Sequence, residues 1–420
     1  MIPHGVIVLS SLWIFAHLLI LPVVYGGKYR RVALVCSGLL LLLVYSLKPY
    51  TYDLDKYSIY FVTGYIPTID WHTPDDGFQL DARDTTGDPY DGYELGFNLL
   101  SKVAQFVLPA GSLLPRYDAN YWDFVERPPP RYDAIFLLIM IFCATSLIYS
   151  TKKILQKTVL VRAIEPSSLA LILLVVLGSV FFFIGTQNVV RQFLGLVFVL
   201  SAINSGISRR FLVSLFFIVL ACLFHRWALV FAIILVTAMI GLFWIQKLWP
   251  EEQVRVFRIT RVELLSLFAG VVVLVTIKGL VVLGAFHIDL PLIGDLKAYV
   301  VNQDQYQMFE RLAPSIKLVS IIGLFGISEV VLGVTTISRP VDCRLMRRAI
   351  ILFVLPLCLY PELFARVLIG YWMIEMIFVA WALLSTRRRT QLAGTIVFVA
   401  YGLAPNALNI LLGPDWLRSI

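Results

Sequence analysis

The amino-acid sequence predicts an all-α integral membrane protein with about 12 transmembrane helices. Three observations support this fold class, in which residues 1–420 form a single polytopic domain. Of the 420 residues, 59% are hydrophobic and only 15% are charged, too few for the surface of a soluble protein. The apolar residues fall into runs of roughly twenty, the length that crosses a bilayer. Basic residues, which give a net charge of +8, recur in short clusters between those runs.

Each predicted span is an apolar run that ends at a polar or basic connection. The spans lie at residues 5–25, 31–48, 132–150, 168–186, 188–207, 211–225, 227–246, 262–284, 313–337, 349–361, 362–384 and 392–412. The runs at 211–225 and 349–361 are short, so each is either tilted or joined to its neighbour. Paired halves with broken helices at mid-membrane, which many transporters have, are not predicted.

The orientation follows from the basic clusters, because cytoplasmic loops of membrane proteins are enriched in Lys and Arg. More than half of the 35 Lys and Arg residues lie in every second connection. The clusters are Lys28/Arg30/Arg31, Lys152/Lys153/Lys157/Arg162, Arg209/Arg210, Lys247/Arg255/Arg258/Arg261, Arg339/Arg344/Arg347/Arg348 and Arg387/Arg388/Arg389. These connections are predicted to be cytoplasmic and both termini external. Nucleic acid is not an expected partner, because the positive charge is not gathered on one polar segment.

Two long external segments are predicted. The first, 49–131, follows the second span and is polar, acidic and rich in Pro, Gly and Tyr. Within it, residues 93–108 have the pattern of an amphipathic helix that lies on the membrane or dips into it. The second segment, 285–312, contains Asp289, Asp295, Lys297, Tyr306, Glu310 and Arg311. The cytoplasmic connections are short and lack a Gly-rich phosphate-binding loop, so the external face is predicted to carry the function.

Arg191 is the first of several ionisable residues inside apolar runs, where a charged group is costly and therefore a candidate for function. It lies about one turn inside the external end of the fifth span. Gln187, four residues earlier, is expected to share its helix face, and Asn188 and Gln192 add polar groups at this level. Because basic residues at an outer boundary run against the usual bias, function is favoured over a snorkelling arginine.

His225 closes the sixth span at the same external level and is followed by Arg226. A histidine can act as an acid, a base or a hydrogen-bond donor near neutral pH. By itself, a histidine beside Trp227 is more often an interfacial residue than a functional one. Its shared level with Arg191 favours the functional interpretation.

Glu362 and Arg366 lie near the external end of the eleventh span, four residues apart with the acid first. This is the favourable order for an ion pair within a helix, so a purely structural pair is one interpretation. The alternative rests on Gly370 and Tyr371, a small residue and an aromatic close to the guanidinium. That setting suits a fork-shaped donor to phosphate or sugar oxygens. Glu375 is expected to be a paired structural group near mid-bilayer.

Asp53 and Asp55 follow the second span and leave three interpretations open: a divalent-metal site, solvated loop acids, or a sugar-contacting or basic role. Tyr57 falls on the same helical face as Asp53. Further along, Glu94 and Asn98 share one face of the predicted amphipathic helix. A half-buried Glu94 with a raised pKa suits a general base, and a charged residue on the wet face is the alternative.

Lys278 lies about two turns inside the eighth span, and Lys317 opens the ninth. Each alone is an ordinary snorkelling residue. Together with Arg191, Arg226 and Arg366 they are expected to make the external half of the membrane a cationic pocket. A cationic site at head-group depth suits an amphiphilic anion, such as a lipid-linked phosphate or pyrophosphate.

Several motifs carry a resemblance to a known family. The core is Val-Arg-Gln-Phe-Leu-Gly at 190–195, followed one helix later by Ala-Cys-Leu-Phe-His-Arg-Trp-Ala-Leu at 221–229. Upstream stand Asp-Leu-Asp-Lys-Tyr at 53–57 and Tyr-Glu-Leu-Gly-Phe-Asn-Leu-Leu at 93–100, and late in the chain Ala-Arg-Val-Leu-Ile-Gly-Tyr-Trp at 365–372. In order and spacing these resemble the Wzy/EpsG-type family of bacterial polysaccharide polymerases over most of the chain. A glycine at 195 where Ala is frequent and a tryptophan at 227 where a small residue is usual depart from its pattern.

By that resemblance the chain would have a GT-C-like polymerase or ligase architecture in the bacterial inner membrane. It would join oligosaccharide repeat units carried on undecaprenyl pyrophosphate at the periplasmic face. The donor glycan would pass to the non-reducing end of a second lipid-linked unit. A chain-length regulator is a further partner that the resemblance suggests, beside the lipid bilayer.

The expected mechanism is direct displacement at the anomeric carbon. His225 or a carboxylate, Asp53 or Glu94, takes the proton of the acceptor hydroxyl, while Arg191 and Arg366 stabilise charge on the leaving pyrophosphate. Because the arginines stay charged, no metal or other cofactor is demanded. Substrate-binding roles are expected for Gln187, Asn188, Gln192, Arg226, Tyr57, Lys278, Arg311 and Tyr371.

Two other functions compete with this interpretation. A polyprenyl-phosphate-sugar glycosyltransferase or a glycan ligase would make a single addition instead of a ladder of products, and Asp53 and Asp55 would then be candidate metal ligands. A polysaccharide or lipid transporter belongs to a different class. It is disfavoured because the polar groups cluster at one face of the membrane instead of at the midplane.

Overall fold

The computed structural model describes about half of the chain as well-placed helices. The described residues are 4–47, 95–107, 130–158, 166–187, 190–208, 210–225, 361–385 and 387–412, with isolated residues at 228, 232, 268, 272, 275 and 276 and two short strands at 289–290 and 294–295. All statements about the fold refer to these residues. The predicted spans from 227–246 to 349–361 otherwise lie outside them.

The described part of the chain is helical apart from one short ladder. The helices are α1 His4–Leu18, α2 Ile20–Tyr25, a 3-10 turn Gly27–Tyr29, α3 Arg30–Leu47, α4 Leu95–Val107, α5 Pro130–Thr158, α6 Pro166–Gly178, α7 Val180–Gln187, α8 Val190–Ile207, α9 Phe211–Phe224, α10 Pro361–Leu384 and α11 Arg388–Leu412. The strands Asp289–Leu290 and Gly294–Asp295 pair antiparallel, with Asp289 opposite Asp295. The predicted all-α class is confirmed over these ranges, and a helix, Leu95–Val107, lies within the predicted 93–108 segment.

Two described segments are long and apolar enough to cross a membrane, Ile7–Tyr25 and Ile135–Gln156. A third is added if the bent pair Ser168–Gly178 and Val180–Thr186 forms one span. Such lengths correspond to the thickness of a bilayer core. The described residues therefore support a membrane protein with two or three candidate spans.

α8 and α9 form an antiparallel hairpin that is central to the site. Ser214 Oγ donates to the Ala202 carbonyl at 2.8 Å near the connection between the helices. Towards the other end, a β-carbon built on Gly195 would lie 3.2 Å from the Ala221 carbonyl oxygen. The contact in α9 shifts to a later residue as the contact in α8 shifts to an earlier one, so the two helices are antiparallel. The hairpin thus brings the beginning of α8 beside the end of α9.

Buried aromatic side chains hold α7 against α8. The rings of Phe181 and Phe182 lie 5.0 and 5.6 Å from the ring of Phe193, and all three are buried. Aromatic pairs at such separations stabilise a core beyond the apolar area that they bury. α10 packs against α6, α7 and α11, so the first half of the chain and its last two helices share one core.

A break between α6 and α7 corrects the prediction of one continuous span at 168–186 and of no broken helix. The two helices are bent by 54° at Ser179. Gly-Ser pairs are common sites of sharp kinks. The Ser179 side chain begins the new helix, because the Phe182 N–H donates to Ser179 Oγ at 3.1 Å. Ser179 Oγ in turn donates to the Val176 carbonyl at 2.9 Å.

Side chains from other helices occupy the carbonyls that the break leaves without helical donors. The Tyr45 hydroxyl of α3 donates to the Leu177 carbonyl at 2.6 Å. The Nε2 atom of His17 in α1 lies 2.7 Å from the Gly178 carbonyl oxygen. An unpaired carbonyl in an apolar interior costs about 1–3 kcal/mol, so these contacts stabilise the kink. The break is therefore stabilised by side chains of α1 and α3 that pack against it.

Candidate functional site

His225 ends α9 with an extended backbone, φ −159° and ψ 121°. Its N–H donates to the Ala221 carbonyl at 3.0 Å, and its own carbonyl accepts from the Ala228 N–H at 2.9 Å. These two bonds fix the residue between the end of α9 and the chain that follows it. The side chain is buried, as is that of Ala228. His225 is therefore a positioned interior residue and not a side chain on the bundle surface.

Gly195 of α8 lies directly against His225. A β-carbon on Gly195 would be 3.3 Å from the His225 β-carbon and 3.2 Å from that of Ala228. Only a residue without a side chain leaves ordinary van der Waals room at this crossing. The glycine thus sets the distance between the two helices at the level of the histidine.

Arg191 lies one helical turn before Gly195, and α8 begins at Val190. Four residues along a helix correspond to about 6 Å of rise on the same face. Arg191 is half-buried and Gln192 is buried, and each residue makes an interaction within the protein. Arg191 and His225 lie at the same end of the hairpin, since one stands at the beginning of α8 and the other at the end of α9.

A third segment reaches the same place through Gly96. A β-carbon on this residue of α4 would lie 2.8 Å from the Leu223 carbonyl oxygen and 3.1 Å from Phe224 Cδ2. Phe97 beside it is fully buried. α4 therefore docks on the last turn of α9, immediately before His225. Glu94 lies just outside the described residues, one position before the helix begins.

Two residues of α10 that the sequence analysis named are buried. Tyr371 and Glu375 are both buried and both interact with other groups of the protein. The expectation that Glu375 is a paired structural group stays a prediction. Glu362 and Arg366 lie in the first two turns of α10, and their side chains are outside the described part of the structure.

The spacing argument for Gln187 is wrong. It assumed that Gln187 and Arg191 share the face of one helix, but α7 ends at Gln187 and α8 begins at Val190. Two different helices therefore carry these residues, and helical spacing does not relate them. The side chain of Gln187 lies outside the description. The other predicted site residues outside the described part are Asp53, Asp55, Tyr57, Glu94, Asn188, Arg226, Lys278, Arg311 and Lys317.

His17 and its partners were missed by sequence reasoning. The His17 ring also contacts a second carbonyl: its Nδ1 atom lies 2.8 Å from the Trp13 carbonyl oxygen. The imidazole lies in a slot where a β-carbon on Gly402 of α11 would come within 2.5 Å of Cγ. A histidine inside the first apolar run and a Gly-Ser pair inside the fourth were the available signals.

The end of the bundle where α4, α8 and α9 meet combines an imidazole with a guanidinium. The first can carry a proton near neutral pH, and the second stays charged. Within the described ranges, no group of three or more His, Cys, Asp and Glu residues is placed to hold a metal ion. No protein-family model, no curated protein and no solved structure matches this chain.

Proposed function

We propose that this chain is a polysaccharide polymerase. It joins oligosaccharide repeat units carried on undecaprenyl pyrophosphate at the periplasmic face of the bacterial inner membrane. One observation supports the proposal most: Gly96, Gly195 and His225, which belong to three separate motifs of the resemblance, lie at one end of the α8–α9 hairpin. A convergence of distant motifs on one place is typical of a functional site.

The proposed mechanism assigns different tasks to these motifs. Arg191 and Arg366 bind the pyrophosphate of the donor and stabilise the charge that develops on it as the anomeric carbon is attacked. His225 or a carboxylate of the external segment accepts the proton of the acceptor hydroxyl. The buried surroundings of His225 strengthen its electrostatic interactions, because the local dielectric is low.

The proposed architecture extends beyond the described helices. It comprises about 12 spans of the GT-C-like polymerase and ligase type, with both termini and the long 49–131 segment in the periplasm. Hydropathy and the alternation of basic clusters support this arrangement. A cysteine-accessibility map of the connections, read with an impermeant reagent on intact spheroplasts, tests the orientation. Labelling of the connection at 209–210 from outside would contradict it.

The decisive experiment is a reconstituted reaction. The full chain in liposomes receives undecaprenyl-pyrophosphate-linked repeat units, and the products are separated by size. A ladder of regularly spaced products is expected, together with release of undecaprenyl pyrophosphate. A single addition would replace the polymerase proposal with a transferase or ligase, and no glycan transfer would overturn all three.

A transporter is the second candidate, and the break between α6 and α7 favours it. Discontinuous helices often form substrate or ion sites in transporters. In this chain, however, Tyr45 and His17 already occupy the Leu177 and Gly178 carbonyls at the break. The same liposomes distinguish the two functions, because a transporter moves the labelled lipid-linked unit across the bilayer without lengthening its glycan.

A further inference from the structure

α4 carries large apolar side chains on two different faces. On one face, the side chains of Phe97 and Ser101 are buried. On another, Leu95, Leu99 and Phe106 are 68%, 61% and 87% exposed. An amphipathic helix that merely covers a protein core would have a single apolar stripe. The second stripe therefore requires a different contact.

The exposed residues form one continuous stripe. Leu95, Leu99, Val103 and Phe106 follow one another at intervals of four, four and three residues, which places them on one helix face. All four are exposed in the isolated chain. Lys102, also exposed, borders this stripe. Large apolar side chains with a flanking lysine are the pattern of a helix that lies in the membrane interface.

The position of α4 on α9 indicates what covers the stripe. α9 is apolar along its length, and its exposed side chains, among them Phe211, Leu212 and Phe216, continue as far as Val219. α4 crosses the following turn, at Leu223 and Phe224. The helix thus lies where the exposed apolar surface of α9 ends, and such an end is expected at a bilayer boundary when the surface faces lipid.

We propose that the Leu95, Leu99, Val103 and Phe106 face of α4 is inserted among the acyl chains of the bilayer, at the interface where α9 ends. In this orientation Lys102 reaches the lipid phosphates, while Gly96 near the beginning of the helix contacts the last turn of α9. α4 then contacts both the membrane interface and the end of the hairpin that carries His225. This inference requires only that the chain spans a membrane and not that it is a polymerase.

The test uses the unaltered full chain and a comparison within one helix. The protein is placed in phosphatidylethanolamine/phosphatidylglycerol liposomes with a lipid-soluble diazirine, which labels side chains that face acyl chains on illumination. Peptide mass spectrometry then compares Phe106 with Phe97, two phenylalanines of the same helix with opposite exposure. Phe106 and Leu99 are expected to carry several-fold more lipid-derived label than Phe97. Hydroxyl-radical footprinting provides the aqueous counterpart, in which Phe106 is expected to be protected.

Two results would overturn the proposal. Strong hydroxyl-radical oxidation of Phe106 without carbene label would mean that the stripe faces water. Protection of Phe106 from both reagents would mean that a protein surface, such as a second copy of this chain, covers it. A Phe106→Ser chain gives an independent readout, because loss of the aromatic anchor should increase amide hydrogen exchange over 95–107 in liposomes. Unchanged exchange in that variant would also count against the membrane contact.

Discussion

A β-carbon on Gly195 would stand 3.3 Å from the β-carbon of His225, so α8 and α9 touch without an intervening side chain. This separation is shorter than nearly all contacts between real β-carbons, and the neighbours must yield before any side chain fits. The same glycine lies one turn after Arg191 on α8. The close approach of two helix backbones is therefore a feature of the end of the hairpin that carries both Arg191 and His225.

Replacement of Gly195 by alanine should loosen this crossing. The added methyl meets Ala221, His225 and Ala228 at 3.2–3.3 Å, and overpacking of this kind costs typically about 1 kcal/mol or more. Thermal unfolding in detergent measures the loss. Gly206→Ala in the same helix is the matched control: its nearest neighbour is Ser214 Oγ at 3.5 Å, so alanine should stabilise slightly. Equal effects of the two substitutions would contradict the proposed crossing.

Gly96→Ala should detach α4 from α9. Its methyl would lie 2.8 Å from the Leu223 carbonyl oxygen, a backbone atom that cannot rotate away. Amide exchange over 95–107 should accelerate, consistent with a local cost of about 1–3 kcal/mol. In α3, Gly38→Ala meets nothing within 4 Å and should leave the exchange of α4 unchanged. A tightly protected α4 in the Gly96→Ala chain would show that the contact does not hold the helix.

Tyr45→Phe removes the donor to the Leu177 carbonyl while keeping the ring. The carbonyl then stays unpaired in an apolar interior, so the free energy of unfolding should fall by about 1–3 kcal/mol. Tyr25, whose side chain is exposed, is the comparison, and its change to phenylalanine should be nearly neutral. The melting temperature of each variant measures this difference in stability. Indistinguishable values would exclude an energetic role for this bond.

Ser179→Ala should weaken the start of α7. The Phe182 N–H loses its acceptor, and the loss of a helix N-cap costs about 0.5–2 kcal/mol. Ser11 offers a contrast, since its hydroxyl only donates back to the Ile7 carbonyl within an exposed helix face. Ser11→Ala should be neutral or slightly stabilising. If the Ser179→Ala protein and the unaltered protein have the same melting temperature, residues other than Ser179 determine the break.

Arg191→Ala should lower the rate of glycan transfer by about 10²–10³-fold if the guanidinium stabilises the leaving pyrophosphate. Arg210→Ala removes an exposed arginine at the opposite end of the hairpin and should leave the rate unchanged. His225→Gln keeps a hydrogen-bonding side chain but removes proton transfer. The rate of glycan transfer should fall by about 10²–10⁴-fold if the imidazole is the base. A full ladder from Arg191→Ala would remove this residue from the mechanism.

Hydropathy predicts where helices lie because each span must be long and apolar, and the described helices support two or three of the predicted spans. It failed at Ser179, because a kink changes backbone geometry without changing the apolarity of the run. The Gln187 argument failed for a related reason. A period of 3.6 applies only while one helix continues, and α7 ends at Gln187 before α8 begins at Val190.

The site was predictable in part. The level of Arg191 and His225 followed from counting residues along two neighbouring runs. The contacts at Gly96 and Gly195 did not, since a glycine in a single sequence does not reveal which backbone approaches it. His17 was overlooked because its partners, the Gly178 carbonyl and Gly402, lie in distant helices.

The contacts of α1 impose an order on the biogenesis of this chain. The Trp13 indole donates to the Tyr401 carbonyl across 388 residues of sequence. At about 5–20 residues per second, a ribosome needs roughly 20–80 s to make that interval. During this time the first helix waits in the translocon or in lipid with the His17 ring only partly enclosed. Arrest of translation before Tyr401 is made should therefore leave α1 as the preferred substrate of membrane quality-control proteases.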